Sequence, residues 1–356
     1  MIRKRTLSLF CVLILSTGRT GFSSEAQKTI KFAVLGDVHV GLRGEDHGFK
    51  MTGSSERIFE IAVEQLNKMP DLSFVVFDGD LVVDGESFNL ARFKEIADRL
   101  HCPYYVVLGN HDQPVIPSAD AWGPGVRAFY PGETKAGVAA MFRGHGFSSD
   151  GRTWWSADFA GIHLVGLDSV QIKTWGGVLP WQELDWLKKD LTASRAKPTL
   201  VFLHHNLVES YPEYKLWPEF LVSNRAEVKA VLASFPQVKA VISAHYHFSD
   251  YHTESGVHYF TTSSVNTYPC RFSVFEMMPA SLRLRVHDIV QPDERHDEAD
   301  SIRWRAKEEL LKAEDWVRSI TQGQKEMGKP SDADSVKARL WEMFDANSES
   351  PALPLR

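Results

Sequence analysis

Cysteine is scarce in this chain of 356 residues: three occur, Cys11, Cys102 and Cys270. Positive charge is also in deficit, with 40 Lys and Arg against 46 Asp and Glu, a formal net charge of -6. That balance argues against a nucleic-acid partner, whose backbone calls for clustered Lys and Arg. Long apolar runs are missing. The most apolar stretch, Leu7 to Ser16, is too short to cross a bilayer. No internal repeat is present.

That stretch follows a cationic start, MIRKR, and precedes small residues around Ser24-Glu25-Ala26. The pattern reads as a signal peptide over residues 1–26, and hence as export to a periplasmic or extracellular space. Cys11 leaves with it. Cys102 and Cys270 remain, enough for one disulfide in an exported protein. No stable membrane span is expected after removal of the signal. The oligomeric state is not readable.

What remains is 43% hydrophobic and 24% charged over the whole chain, an ordinary globular balance. From residue 27 to 290, apolar β-rich runs alternate with amphipathic helical patterns. The runs are Ile30–Leu35, Leu72–Phe77, Tyr104–Leu108, Ile162–Leu167, Leu200–Leu203, Ala240–Ser243 and His258–Thr262. In SSERIFEIAVEQLNKM, Phe59, Ala62, Leu66 and Met69 share one face, with Ser54 or Ser55 as a candidate cap. FNLARFKEIADRL, WQELDWLKKDL and NRAEVKAVLASF repeat that periodicity. Alternation of this kind predicts an α/β domain, with one sheet or two. Residues 113–153 lack the rhythm and read as a long loop. Residues 291–356 form a charged, helix-prone tail. Its apolar stripe, Ile302, Ala306, Leu310, Ala313, Trp316 and Ile320, needs a surface, and the expected one is a flank of the main domain away from the polar clusters below.

Those clusters follow the strands. The first run ends in Asp37 and His39, the second in Asp78 and Asp80, the third in Asn110, His111 and Asp112. Later runs end in His204 and His205, and in His245 and His247. Ligands in open α/β sheets gather beyond the carboxyl ends of strands. One shared rim would therefore collect all of them. Imidazoles with carboxylates suit Fe, Mn, Zn, Co or Ni, and the absence of cysteine from the set disfavours a structural zinc. A single Asp-x-His is usually a turn beside a satisfied histidine. Four polar residues closing a buried strand, GNHD, and a His-x-His after another are costly without a purpose. Asp78 reads as a turn cap, and Asp84 and Asp168 as loop residues. His101, His163, His252 and His258 read as satisfied or exposed, and Trp154, Trp155, Trp175, Trp181 and Trp186 as packing residues.

The order Asp-x-His, Gly-Asp, Gly-Asn-His-Asp, His, His-x-His resembles the calcineurin-like metallophosphoesterase superfamily. The likeness is greatest to the branch of cyclic-nucleotide phosphodiesterases and purple-acid-phosphatase relatives. It covers about residues 29 to 280. The resemblance implies two mixed β-sheets packed as a sandwich and flanked by helices. It implies two divalent or mixed-valence metal ions: one on Asp37, His39 and His247, one on Asn110, His204 and His245, with Asp80 bridging. It implies hydrolysis of a small phosphomonoester or phosphodiester by a metal-bridging hydroxide. His111 would protonate the leaving group and Asp112 would orient His111, the neighbouring carboxylate favouring imidazolium. Asn110, His111 and His205 would contact the substrate, His205 as a pocket or supporting residue. The alternative is a non-catalytic phosphate-ligand binding protein that keeps the metal site. Two departures stand out. Ala244 replaces the glycine usual before His-x-His. No Tyr lies between Gly79 and Val83, which disfavours a tyrosinate-bound iron.

Overall fold

The computed structural model describes residues 29–42, 44–47, 49–113, 132–172, 174–217, 220–289, 302–345 and 350–355. The expected signal peptide, residues 114–131 of the expected loop and the start of the expected tail lie outside these.

The strands in chain order are β1 (Ile30–Leu35), β2 (Asp46–His47), β3 (Lys50–Met51), β4 (Leu72–Asp78), β5 (Tyr104–Val107), β6 (Trp155–Phe159), β7 (Ile162–Gly166), β8 (Thr199–Phe202), β9 (Val238–Ser243), β10 (Asp250–Glu254), β11 (Val257–Thr261), β12 (Arg271–Met278), β13 (Ser281–Asp288) and β14 (Leu353–Pro354). The α-helices are α1 (Ser55–Asn67), α2 (Ser87–Ala97), α3 (Lys135–Met141), α4 (Trp181–Ala193), α5 (Arg225–Ala233), α6 (Ile302–Leu310), α7 (Glu314–Glu326) and α8 (Ala333–Asp345). Two six-stranded mixed sheets result, in the orders β14-β13-β12-β1-β4-β5 and β10-β11-β9-β8-β7-β6. Helices flank the pair, as the resemblance implies.

Phenylalanines join the sheets. Phe32 of β1 stacks on Phe74 at 5.0 Å and on Phe275 at 5.1 Å, and meets Phe202 of the other sheet edge-on at 6.2 Å. Phe275 meets Phe260 across the same seam at 5.1 Å. Burying each such ring stabilises by ~1.5–3 kcal/mol. The central strands are covered on both faces, which is why β1, β4, β8 and β9 read as continuous apolar runs. On the outer faces, Phe59 of α1 and Phe93 of α2 pack on Phe77. Leu184, Leu187 and Leu191 of α4 and Val228 of α5 cover the other sheet.

Seven strands escaped the periodicity reading: β6, β10, β12 and β13, and the two-residue β2, β3 and β14. The 113–153 segment is also not wholly a loop, since it contains α3, whose first turn is capped by Thr134 accepting from Gly137 N. Neither Ser54 nor Ser55 caps α1. Asp46 accepts from both Ser54 N and Ser54 Oγ, and Ser55 Oγ donates to Thr52 O. Cys102 and Cys270 are not joined by a disulfide; they precede β5 and β12, which β1 and β4 separate in the sheet.

The tail docks with its stripe buried. Ile302, Ala306, Leu310, Ala313, Trp316 and Ile320 all enter the main core cluster. Their surface is not remote, however. The Trp316 ring lies 4.5 Å from Trp217 and 5.8 Å from Phe248. Phe248 directly follows His247, so the tail packs against the back of one polar cluster. β14 closes the sheet on β13, and His258 Nε2 reaches the Pro354 carbonyl at 3.0 Å. Among the described residues no helix is long and apolar enough to cross a membrane.

Candidate metal centre

All five polar clusters meet at one rim. β1, β4 and β5 are parallel to one another, as are β7, β8, β9 and β11, so their carboxyl ends point alike. The loops beyond them continue the ladders. Asp37 N donates to Gly79 O, His39 N to Asp80 O, and Ala244 N to His204 O. Gly79 and Gly109 permit this closeness. A Cβ on Gly79 would stand 2.5 Å from His204 Nδ1, and one on Gly109 2.2 Å from Asp80 Oδ1. Gly79 also holds φ +82°, a conformation natural to glycine.

Three groupings of donor atoms are close enough to hold a metal ion: Asp37, His39 and His247; Asp80, His204 and His245; and His39, Asp80 and His111. Asp80 links them. Its Oδ2 lies 3.6 Å from His39 Nε2 and 3.4 Å from His204 Nε2. Its Oδ1 accepts from His111 N at 2.8 Å. Hydrogen bonds on the far ring nitrogens set the tautomers. His204 Nδ1 donates to Asp78 O at 2.9 Å; burial alone would lower this ring, but Asp80 holds it up at about 10, so without a metal its Nε2 carries a proton toward Asp80 that a metal ion would displace. His247 Nδ1 bonds Thr267 Oγ1 at 2.7 Å, and its Nε2 lies 3.3 Å from Asp37 Oδ1.

The site fits metal ions by its unsatisfied atoms. Both amide atoms of Asn110, Asp37 Oδ1 and His245 Nε2 are buried without a hydrogen-bond partner. Such atoms are rare in native cores and are normally claimed by a ligand. Burial pushes His39, His245 and His247 well below the usual imidazole range, so these rings are neutral, as ligands must be. Burial alone would raise Asp80, but His204 and its other imidazole neighbours hold it well below the carboxylate range.

Five of these ligands have left-handed backbones: Asp37 (φ 53°), His39 (47°), Asp80 (53°), His245 (70°) and His247 (64°). Each such non-glycine residue stores roughly 1–3 kcal/mol. Ala244 is not among the positive-φ residues, so its replacement of glycine costs no backbone strain. The left-handed turn is made by the histidines themselves.

Several expected roles change. Asp112 does not orient His111: its Oδ1 accepts from Leu81 N and Val82 N and its Oδ2 from Gly109 N, so it ties the two ligand loops together. The His111 ring instead contacts the Val83 carbonyl through Nδ1, with Asp84 Oδ1 at 3.9 Å. Asp84 is thus a buried neighbour of the site rather than a plain loop residue. Burial, with Lys50 adding to it, lowers His111 to about 3, so the ring is neutral rather than imidazolium. His205 is a supporting residue. Its Nε2 donates to Trp175 O at 3.1 Å, its Nδ1 accepts from Ser169 Oγ at 2.8 Å, and its ring lies 4.6 Å from His245. Asp78 caps nothing, because both its carboxylate oxygens are buried without a partner. Asp168 is buried and binds Lys135 at 2.5 Å, fastening the segment around α3. His163 sits between Asp158 and Asp190 at 2.8 and 2.7 Å, a satisfied histidine as read.

Lys50 was not anticipated. It is 3% exposed, and its Nζ stands 3.4 Å from His111 Nε2. No spacing in GFKMTG announces it. The short β2–β3 hairpin delivers it, held by Met51 N donating to Asn266 O and by a bridge between Lys50 and Thr267.

A two-sheet α/β sandwich with His, Asp and Asn ligands gathered beyond its strand ends defines a metal-dependent phosphoesterase. The sequence model of the calcineurin-like phosphoesterases matches residues 30–249, more than half of the chain, and the chain belongs to that family. Similar curated proteins include a "Probable glycerophosphodiester phosphodiesterase" of Arcobacter nitrofigilis, 25% identical over 60% of this chain and 70% of its own. Another is a "Probable cyclic nucleotide phosphodiesterase" of Synechococcus, 27% identical over 64% and 76%. Among solved structures, a dimetal phosphatase from Danio rerio superposes with a TM-score of 0.54 at 18% identity, covering 74% of this chain and 97% of that one. That likeness concerns the fold.

Proposed function

We propose that the chain is an exported phosphohydrolase that uses two metal ions to cleave a small phosphodiester or phosphomonoester. One observation carries this reading: Asp80 Oδ2 lies within 3.6 Å of His39 Nε2 and 3.4 Å of His204 Nε2, so one carboxylate belongs to two ligand groups. Asp37, His39 and His247 make the first site. Asn110, His204 and His245 make the second. His111 stands beside both, its Nε2 4.0 Å from the shared Asp80 Oδ2 and 3.4 Å from Lys50 Nζ.

Ions bound there supply Lewis acidity toward phosphoryl oxygens and a water acidic enough to attack at neutral pH. The chain's own residues prepare that chemistry. Asp80 and Asp37 bring the negative charge that the cations need. The Asp78 carbonyl and Thr267 hydroxyl aim His204 and His247. Asp112 fixes the Asp80 and Asn110 loops against each other. The donor set suits Fe, Mn, Zn, Co or Ni. The phosphodiesterase names of the similar proteins support a small diester as one substrate class, and the MIRKR start supports export.

Elemental analysis with a kinetic panel tests the proposal. The purified protein should hold two ions per chain, lose activity to a chelator, and hydrolyse small aryl or nucleotide esters when reloaded. Full activity with one ion per chain would refute the two-metal reading. Two ions without turnover on any ester would establish a binding protein instead. An N-terminus near residue 27 in protein recovered outside the cytoplasm would support export.

A further inference from the structure

Solvent reaches the metal centre at three imidazoles. His111, His245 and His247 are 4%, 5% and 4% exposed, whereas Asp80 and the remaining proposed ligands are at 1% or less. A half-buried aromatic ring stands against each of the three. Phe49 meets His247 edge-on at 5.1 Å, Trp175 lies 5.4 Å from His111, and Phe220 lies 4.4 Å from His245. We infer that these three rings wall the mouth of the site and bind the organic group of the ester, favouring a planar aromatic group over a small polyol. The inference rests on the phosphohydrolase reading and narrows its substrate class.

The rings come from three separate segments, and each is anchored independently. Phe49 belongs to the β2–β3 hairpin, which Arg305 of α6 fastens by donating to Asp46 Oδ2 at 2.9 Å. Trp175 stands in the loop between β7 and α4. Val178 N closes that loop on Ser169 O, and the Trp175 carbonyl accepts from His205 Nε2 at 3.1 Å. Phe220 lies between β8 and α5, with its N donating to Trp217 O and its ring stacked on Trp217 at 5.2 Å. Trp217 holds φ 30°, a strained backbone for so bulky a residue. Such strain persists where packing over-determines it, here against Trp316 at 4.5 Å, and it gathers at ligand sites.

Core packing does not account for these rings. Phe32, Phe74 and Phe275, which join the sheets, are fully sealed. Phe49, Trp175 and Phe220 keep part of their apolar surface in water, beside the imidazoles through which the site opens. Covering that surface is favourable. With the phosphoryl group on the cations, the organic part of the ester extends through the mouth and meets the rings. Ligand sites of this kind pair an apolar, aromatic lining with a few fixed polar groups. A planar group stacks or packs edge-on against such rings. A polyol in the same place sheds water from hydroxyls that the rings cannot rebond.

The test uses the full, metal-loaded chain and two phosphonates that share one head group, phenylphosphonate and 2,3-dihydroxypropylphosphonate, titrated calorimetrically. The phenyl compound should bind more tightly by roughly 5–100-fold, the worth of one stack on an aromatic side chain. Trp175→Leu and Phe220→Leu should each cut that preference several-fold at wild-type metal content, and Trp175→Phe should keep most of it. Equal affinity of the wild type for the two phosphonates, or binding of neither, would overturn the inference. Leucine variants that weaken both phosphonates alike would also overturn it, and would confine the rings to shielding the imidazoles. If Phe220→Leu does not fold, Trp175→Leu decides alone, since it lies in a separate loop. A phenyl preference in a protein that hydrolyses no ester would refute the phosphohydrolase reading and uphold the aromatic wall. Turnover of esters without the preference would do the reverse.

Discussion

Asp78→Asn should stabilise the metal-free protein, and by an amount that grows with pH. Asp78 ends β4 with both carboxylate oxygens buried and without partners. Burial pushes it from its ordinary 3.8 up to about 8, the His204 charge opposing and Asp37 assisting the rise. The folded carboxyl is therefore protonated where the unfolded one is ionised. A group raised in this way gives full stability below pH 4 and loses it as pH climbs toward 8. The loss is about 1.4 kcal/mol per pH unit, or ~4 kcal/mol at pH 7 as a ceiling. Asparagine keeps the shape and removes the ionisation. Urea melts of both proteins in excess chelator, at unit steps from pH 4 to 8, measure the gap. It should be near zero at pH 4 and widen steadily to a plateau near pH 8. A gap that does not vary with pH would refute the reasoning, because only a buried carboxyl that must take up a proton on folding produces the slope.

Asp80→Asn keeps the left-handed backbone but removes the shared charge. It should weaken metal binding by roughly three orders of magnitude, taking ~4 kcal/mol for unit charges near 4 Å; unaltered stoichiometry in elemental analysis would contradict this. His111→Gln should slow esters of good and poor leaving groups alike, since the neutral ring directs its one proton at Val83. A loss concentrated in poor leaving groups would restore His111 as the general acid. Trp316→Ala should cost ~3–5 kcal/mol in a denaturant melt, as a large ring leaves a packed core. It should also raise KM, because Trp217, which Trp316 supports, stacks at 5.2 Å on Phe220, and Phe220 lies 4.4 Å from His245. A full stability loss with unchanged KM would confine the tail to a structural role.

The ligands were legible because each stands at the end of a buried strand, where polar residues are expensive. Their convergence needed only the parallel direction of those strands. The core helices were legible from period alone. β13 carried a period-two signal, Leu282 and Leu284 alternating with Arg283 and Arg285, that a search for continuous apolar runs passes over. Lys50 and Asp84 were hidden for another reason. Their places depend on pairings with residues far along the chain, such as Lys50 with Thr267, and no local pattern encodes those. Asp112 was misread because adjacency to His111 in sequence suggested adjacency in function. The turn sends its carboxylate back to Gly109 N and across to the Asp80 loop instead. Asp78 was misread as a cap because glycine follows it.

The left-handed ligands set a bargain between chemistry and sturdiness. Glycine in place of His39, His245 or His247 would remove a metal ligand and relax a strained turn in one step, by roughly 1 kcal/mol or more. Asparagine at Asp37 or Asp80 would discard charge while keeping a residue at home in that conformation. A descendant freed from hydrolysis would therefore drift toward glycine and asparagine at these five places and become tougher as it became inert. Histidine and aspartate kept there record selection for the reaction rather than for the fold.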